Sequence, residues 1–450
     1  MASGQVLKGV WGMLFDNFSQ YLESLPDNIP LPPFKRGNYI VLIKILGKNF
    51  NTSPLVKQSL TALRWRGLGG GILLILILST TLSAQESKEK NWNFQGYTKS
   101  LQSLFQINVP GLGKQTISDN FIHNRLNFNW YPSDNWTFKA GLRTRFFFGE
   151  FSRSQPNFKT NLDEDGNDVL NLTLLNVGEK AILHSYLDRA YFQYNKDNLE
   201  IRFGRQRINW GINTVWNPND LFNAFTFTDF DYEERPGSDA LRVQYYIGYA
   251  GSIEFAIKAF DNTDEVVAAS LYKFNKWNYD FQVLAGWSNK DIVLGGGWAG
   301  SLKNWGFKGE FSWFNSTIDE IDNNFAATLS VDYAFENSLF IAGGLLYNKL
   351  GTTSNSGNIF NFELSARNLY PYQWSVFTST GFPITPLFTA NMTLIYSPID
   401  GHPLFLTPTF TYSLGQNLDV DFVSQIILQD TAERYGSDIQ AYFLRVKWSY

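Results

Sequence analysis

The chain has 450 residues, of which 17% are aromatic and 17% are charged, and its formal net charge is −4. Ordinary soluble domains carry roughly 25% charged residues, so we expect something other than water to face much of this surface. The chain contains no cysteine, which excludes disulfide scaffolds, thiolate metal sites and cysteine nucleophiles. The acidic balance argues against a nucleic-acid partner, because phosphate binding normally requires a basic domain.

An export signal is predicted at residues 64–84. Arg64 and Arg66 precede an apolar run from Ile72 to Leu78, and small residues follow as far as Ala84. This order is typical of a secretory signal peptide. The apolar run is much shorter than the roughly 20 residues that a membrane-spanning helix needs. We expect cleavage after Ala84 or after the residue before it.

Residues 1–63 lie upstream of this signal, and their composition matches no barrel pattern. Two explanations stay open. The start codon is assigned too early, or a genuine long leader is removed together with the signal. In both cases the mature protein is expected to span residues 85–450.

The mature chain repeats one theme from Trp92 onward, in which apolar and polar residues alternate and Asn, Asp, Gly, Ser or Pro separate the segments. A period of two between turn residues predicts antiparallel strands joined as hairpins. The predicted strands include Trp136–Phe148, Trp277–Trp287, Ile292–Leu302, Trp305–Phe314, Phe325–Tyr333, Leu339–Tyr347, Ile359–Leu369, Leu387–Tyr396 and Phe405–Tyr412, with hairpins over Tyr186–Ile208 and Leu241–Phe260.

These segments predict an all-β fold, a transmembrane antiparallel up-and-down β-barrel of about 16–18 strands, since bacterial single-chain barrels use even numbers. No segment of the mature chain shows a sustained helical period, and no linker divides it, so one domain is predicted. Aromatic residues spread through short segments are typical of the girdles of membrane barrels. The expected location is the cell outer membrane, with its lipid as a partner.

The last strand alternates to the end of the sequence. Its apolar positions are Tyr442, Leu444, Val446, Trp448 and Tyr450, and Arg445, Lys447 and Ser449 lie between them. One face is expected to contact lipid and the other the lumen. The aromatic end resembles the C-terminal signal of proteins that the barrel assembly machinery inserts, which implies that Trp448 and Tyr450 form that signal.

Strand parity places six arginines on the polar face, namely Arg125, Arg143, Arg145, Arg189, Arg202 and Arg242. A charge on the lipid face near the midplane would cost roughly 2–4 kcal/mol, so these residues should point inward. Cationic rings favour anions in pores. The alternative is that these arginines pair with carboxylates such as Glu200, Glu233 and Glu234 and only fill the barrel.

The stretch Ile201–Phe225 resembles part of the alginate-export porins and related barrel families. The matching residues are Gly204, Arg205, Gln206, Trp210, Gly211, Asn217, Pro218 and Asp220. The resemblance implies a porin-like class without naming a substrate. Parity also places Arg205 on the same side as Ile201, which predicts either a bulge at Gly204 or a strand that has left the hydrocarbon zone.

The segment Asn213–Pro236 has no strand alternation and several aromatic residues. A loop of this length is usually functional or disordered. We expect it to fold into the lumen as a constriction, with an outward cap as the alternative.

Asp163, Asp165 and Asn167 resemble the opening of a calcium-binding loop. The pattern then fails, because Asp168 stands where glycine is needed and Leu174 where the bidentate glutamate is needed. A solvated acidic loop without a metal is the preferred interpretation, and no cofactor is predicted.

His184 beside Ser185 is the pair that comes nearest to a catalytic dyad, but adjacent strand residues point to opposite faces. An enzyme is therefore not expected. The predicted function is a porin-like channel for passive or selective passage of small hydrophilic solutes, with anions as candidates. The alternative is a plugged barrel that handles surface polysaccharide or acts as a binding or assembly protein.

Overall fold

The computed structural model describes residues 91–109, 113–166, 168–224, 231, 237–354, 362, 364–430 and 434–450. The predicted leader and signal peptide lie outside these residues and stay predictions. Within the described ranges, no helix is both long and apolar enough to cross a membrane.

The described ranges contain nineteen strands and three short helical segments. The strands are β1 Trp92–Val109, β2 Gly113–Ser133, β3 Trp136–Phe147, β4 Thr173–Val177, β5 Ile182–Lys196, β6 Leu199–Gln206, β7 Ser238–Ile247, β8 Gly251–Lys258, β9 Val267–Lys276, β10 Tyr279–Ser288, β11 Asp291–Leu302, β12 Trp305–Ser316, β13 Asn324–Ala334, β14 Phe340–Asn348, β15 Trp374–Thr385, β16 Phe388–Tyr396, β17 Leu404–Gly415, β18 Leu418–Asp430 and β19 Tyr435–Ser449. The helical segments are α1 Glu150–Ser154, α2 Phe158–Gly166 and a 3₁₀ turn at Thr263–Glu265.

Eighteen of these strands form a closed antiparallel barrel, because β1 pairs with both β2 and β19. The remaining strand, β4, pairs with residues 183–186 of β5, while the following part of the same β5 edge pairs with β6. Closure leaves no open sheet edge in the wall. The predicted barrel class and strand number are confirmed.

Alternation along each strand separates an outer face from an inner face. On β12, for example, Phe311 and Trp313 are exposed at the outer surface, whereas Glu310 and Ser312 are buried inside. A period of two makes successive side chains point to opposite faces. The apolar face therefore lies where lipid would be, and the polar face lines the lumen.

Tight turns fix the register of neighbouring strands. Trp277 and Asn278, between β9 and β10, have φ values of 55° and 61°, and Asn289 and Lys290, between β10 and β11, have 49° and 72°. Two successive positive φ angles define the type I′ turn, whose twist matches that of the strands it joins.

The predicted strand at Ile359–Leu369 is wrong where the structure describes it. Leu364 and Leu369 lie in the connection between β14 and β15 and are buried inside the barrel. Their neighbour Tyr370 packs edge-on against Trp216, with ring centroids 5.4 Å apart. Apolar side chains that pack on one another inside the barrel can show the same spacing as side chains that face lipid.

The connection between β3 and β4 also differs from the expectation, because it contains α1 and α2. These helices have five and nine residues, too few for a helical period to be recognised in the sequence. Phe151 and Phe158 anchor them on the inner face, with ring centroids 5.4 Å from Phe105 and 5.1 Å from Phe147.

Candidate functional site

Two rows of side chains cross the inner face of β1, β2, β3 and β5, and together they form what we call the basic wall. Strand pairing places Lys99, His123, Arg145 and His184 in the first row and Tyr97, Arg125, Arg143 and Tyr186 in the second. All eight residues are buried. Four of the eight positions hold a Lys or Arg, and none holds a carboxylate.

Arg143 connects the two rows of the basic wall. Its Nε donates to His123 Nε2 at 3.0 Å, and its Nη1 donates to the Tyr186 hydroxyl at 3.1 Å. A guanidinium can only donate, so the His123 nitrogen accepts and its imidazole is neutral. The imidazole therefore separates cations without adding charge.

Arg145 repeats this arrangement one strand pair away. Its Nη2 lies 2.9 Å from His184 Nδ1, and its guanidinium lies 5.2 Å from the ring centroid of Tyr186. The same Nη2 also donates to the carbonyl of Leu162 in α2 at 3.3 Å. The inward-folded helices thus contact the basic wall directly.

Arg125 and Arg189 contact one carboxylate, Asp188. The distances from Asp188 Oδ2 are 2.5 Å to Arg125 Nη1 and 3.9 Å to Arg189 Nη1. The β3–β5 pairing shifts register here, because Gly141 pairs with Arg189 and Leu142 pairs with Leu187. This β-bulge turns both Asp188 and its neighbour Arg189 away from lipid.

Arg202 and Arg242 lie in an ion-pair cluster beside the basic wall. Arg202 Nε is 3.0 Å and Arg242 Nη1 is 3.1 Å from Glu200 Oε1. Arg242 Nε is also 2.6 Å from Glu254 Oε1. These contacts favour the alternative interpretation for these two arginines, that they pair with inward carboxylates. Glu233 and Glu234 lie outside the described residues.

The chain between β6 and β7 runs along the inner face of the barrel, and we call residues 208–223 the inward segment. Ile208, Trp210 and Asp220 in it are buried. Trp210 Nε1 donates to Glu254 at 2.6 Å, and Gln282 on β10 donates to the Trp210 carbonyl at 2.8 Å. The partners are lumen-facing residues, so this part of the chain lies inside the barrel.

The remaining motif residues shape this segment or the strand before it. Asn217, Pro218 and Asp220 form a turn in which the Asp220 N–H donates to the Asn217 carbonyl at 3.1 Å. The Asn217 side chain lies against Gly211, where an added Cβ would be 2.4 Å from its Oδ1. Gln206 Nε2 donates to the Ala240 carbonyl at 3.0 Å.

The predicted bulge at Gly204 is absent, since pairing with both neighbouring strands is continuous there. Gly204 has a φ of +116°, and a Cβ on it would lie 2.3 Å from the Ala190 carbonyl oxygen. Arg205 is buried and binds Asp239 through Nε at 2.9 Å and Nη2 at 2.8 Å, while the Leu170 carbonyl accepts from it as well. The connection before β4 thus shields this charge.

A second connection meets the inward segment from the other side. Trp216 packs against Tyr370 and against Phe377 on β15, with centroid distances of 5.4 Å and 5.7 Å. Burial raises the pKa of Tyr372, next to this contact, to about 12, so its hydroxyl is neutral at physiological pH. Two connections therefore narrow the same part of the lumen.

The basic wall also receives a carboxylate from the connection between β6 and β7. Asp231 Oδ1 lies 2.8 Å from Lys99 Nζ and 3.5 Å from Arg445 Nη1 on β19. Arg445 binds Asp421 on β18 at 2.8 Å as well. This connection therefore contacts both sides of the lumen.

Two of the three candidate calcium residues lie in a helix. Asp163 belongs to α2 and accepts a hydrogen bond from the Thr173 hydroxyl, so the predicted solvated loop at this position is wrong. Asp165 also lies in α2, and Asn167 lies outside the described residues. No group of three metal-binding side chains occurs among the residues that were described.

His184 and Ser185 bind different partners, as the strand parity predicts. Ser185 Oγ lies 2.9 Å from Thr144 Oγ1, whereas His184 contacts Arg145.

At the end of the chain, Tyr450 exchanges backbone hydrogen bonds of 2.9 Å and 2.8 Å with Gly96. Whether Trp448 and Tyr450 form an assembly signal stays a prediction.

Several residues of the lumen were missed by the sequence reasoning. His123 could have been found from parity, because it lies on the same face of β2 as Arg125. Lys99 could not, because its neighbours on β1, Thr98 and Ser100, are polar as well. Glu310 carries no such signal: its backbone partners, Ile212 and Asn213, lie almost 100 positions earlier in the chain.

No family model matches the chain, and no curated protein sequence matches it. Its fold is similar to that of solved outer-membrane porins. OccAB4 of Acinetobacter baumannii superposes with a TM-score of 0.51 at 9% identity, over 80% of this chain and 98% of that one. OccK7 (OpdD) and OpdQ of Pseudomonas aeruginosa each give 0.50 at 10% identity, over 79% and 80% of this chain and 99% and 97% of theirs. At such identities the likeness concerns the fold: this chain has the closed barrel of these proteins.

Proposed function

We propose that this protein is an outer-membrane porin that passes small hydrophilic solutes and prefers anions. The observation that carries the proposal is the basic wall, four cations in two buried rows on the inner face of a closed barrel with an apolar outer face. The end of the barrel that holds Trp92, Tyr450 and the turn at Trp277–Asn278 is assigned to the periplasmic side. The long connections after β3, β6 and β14 leave from the other end, and membrane barrels have short periplasmic turns and longer outer loops.

The chemistry of the basic wall favours anions for a simple electrostatic reason. The imidazoles of His123 and His184, which accept hydrogen bonds from Arg143 and Arg145, are neutral, so the positive charges of this part of the wall come from the arginines. In a narrow lumen, rings of cationic side chains lower the entry free energy of anions and raise that of cations. Size selection would come from the connections that fold inward.

The alternative is a plugged barrel that handles surface polysaccharide or binds a partner. Two observations favour the plugged barrel. Trp216 packs against Tyr370 inside the barrel, and Asp231, from the connection between β6 and β7, binds Lys99 of the basic wall. The resemblance of Ile201–Phe225 to alginate-export porins supports the porin-like class and does not decide between the two hypotheses, and the buried Arg205–Asp239 pair gives that motif a structural role.

Single-channel recording in planar bilayers distinguishes the two. We expect the purified protein to give stepwise conductance, and liposomes that contain it to swell in small sugars. Heat-modifiable migration in detergent gels establishes that the sample is a folded barrel. A folded barrel that conducts no ions would favour the plugged alternative.

A further inference from the structure

Glu310 is a lumen carboxylate on β12 that is 1% exposed. Its Oε1 accepts the backbone N–H groups of Ile212 and, at 2.5 Å, Asn213, and its Oε2 accepts that of Asn219 at 3.3 Å. Charge-assisted hydrogen bonds of this kind are roughly twice as strong as neutral ones. We propose that Glu310 positions the inward segment on the barrel wall and thereby sets the width of the channel, an inference that rests on the proposed channel function.

The wall around Glu310 is shaped to receive the segment. Asn219 Nδ2 donates to the Gly296 carbonyl at 3.0 Å, and Ser312 Oγ lies 2.8 Å from Asn219 Oδ1. A Cβ on Gly295 would lie 2.5 Å from Asn219 Oδ1, and one on Gly297 would lie 2.9 Å from the Ile212 side chain. The run of glycines on β11 therefore permits a close approach that any larger residue would prevent.

A second set of contacts continues the attachment onto β13. Asn213 Nδ2 donates to Thr328 Oγ1 at 2.5 Å, and Ser330 Oγ donates to Asn213 Oδ1 at the same distance. These are neutral hydrogen bonds. Glu310 differs from them because one carboxylate holds both ends of the loop that runs from Ile212 to Asn219.

Glutamine cannot replace Glu310 in this role. Glu310→Gln substitutes an NH₂ donor for one carboxylate oxygen, so at least one backbone N–H would face another donor. Losing one charge-assisted hydrogen bond corresponds to roughly a tenfold shift in the population of the attached segment. The side chain keeps its size, so the barrel itself is expected to fold.

Disulfide cross-linking tests the positioning without depending on ion conduction. The chain has no cysteine, so Asn213→Cys with Ser330→Cys introduces a single thiol pair. We expect rapid oxidation in the native background and roughly tenfold slower oxidation with Glu310→Gln, from the population shift above. Asp332→Asn is the matched control, because Asp332 is an inward carboxylate on β13 that pairs with Lys308 at 3.0 Å. Equal oxidation rates with and without Glu310→Gln would overturn the proposal.

Conductance tests the effect on width. Glu310→Gln and, independently, Gly295→Ala should each raise single-channel conductance about twofold and admit larger sugars into liposomes, because a displaced segment obstructs the lumen less. Gly343→Ala is the matched glycine control, since its added Cβ meets only the Phe377 carbonyl, at 3.5 Å.

The outcomes separate the claims. Slower cross-linking with unchanged conductance in both variants would overturn the claim that Glu310 sets the width. A folded native protein that conducts no ions would overturn the proposed channel function, while the cross-linking rates would still decide the role of Glu310. Gel migration before and after heating shows whether each variant is folded.

Discussion

Two regions of the lumen wall use their polar side chains in opposite ways. On the basic wall, the cations Arg143 and Arg145 contact imidazole and phenol groups that carry no charge. On β10 to β13, the inward side chains of Gln282, Glu310 and Thr328 hydrogen bond to the inward segment. One region places several cations side by side, and the other holds a loop.

The difference shows that strand alternation does not decide what a lumen-facing residue does. Both regions have the same period of two, and both bury polar residues on the inner face. What distinguishes them is the chain that folds back onto each one. A lumen carboxylate that binds backbone N–H groups is partly compensated, so it opposes anions less than one that faces solution.

The largest expected effect is a failure of barrel assembly, which would abolish both regions of the lumen wall. β19 closes the barrel against β1, and Trp448→Asp with Tyr450→Asp would place two charges on its outer face. We expect periplasmic accumulation and degradation, because charges are costly on a lipid-facing surface. Cell fractionation with heat-modifiable gels measures this. The control is Ser449→Asp, which lies between them on the opposite face, and normal outer-membrane levels of the double variant would refute the prediction.

The next effect is on ion preference. Arg143→Gln with Arg145→Gln should shift the reversal potential under a salt gradient strongly toward that of a cation-selective pore, because both cations belong to the basic wall. Arg242 is left unchanged, since it lies outside the basic wall, in the cluster with Glu200 and Glu254.

A matched variant removes a cation from the other region of the lumen wall, on β10 to β13. Lys308→Gln takes one positive charge from β12, and we expect a smaller shift than Arg143→Gln alone produces. Equal shifts would show that total lumen charge matters and that the basic wall has no special role.

A smaller effect of opposite sign is expected at Asp188. This carboxylate pairs with Arg125 at 2.5 Å, so Asp188→Asn removes a negative charge beside the basic wall. The anion preference should increase, as measured by the same reversal potentials. A shift in the cation direction would mean that Asp188 orients Arg125 and does not reduce its field.

The smallest effect concerns the hydrogen bond between Trp210 and Glu254. Trp210→Phe removes the indole donor, which should cost about 1–3 kcal/mol because Glu254 is left with one partner fewer in a buried site. The temperature at which gel migration changes reports this loss. Trp305→Phe, at the outer surface, is the control and should leave that temperature unchanged.

The sequence predicted the barrel well because its wall follows local rules. The predicted strand Trp136–Phe148, for example, agrees with β3 to within one residue. β15 was missed because its run of Thr378, Ser379 and Thr380 is polar on both faces. Ile359–Leu369 was misassigned because its apolar residues pack inside the barrel.

For the candidate site, strand parity predicted which side chains face the lumen but not which partners they bind. Parity placed Arg143 and Arg145 inside, but the ion pair between Arg125 and Asp188 joins residues 63 positions apart. The register shift at Asp188 has no signal in the sequence. Partners at such distances depend on the closed barrel, so local patterns could not identify which carboxylate pairs with which arginine.

The central claim is that the basic wall makes the lumen prefer anions, and the reversal potential of the native channel tests it most directly. In a potassium chloride gradient the reversal potential should have the sign of the chloride equilibrium potential. It should move toward zero as salt rises from about 0.1 M to about 1 M, since the screening length falls from about 10 Å to about 3 Å. A potential on the potassium side, or a chloride preference that does not change with salt, would contradict the account.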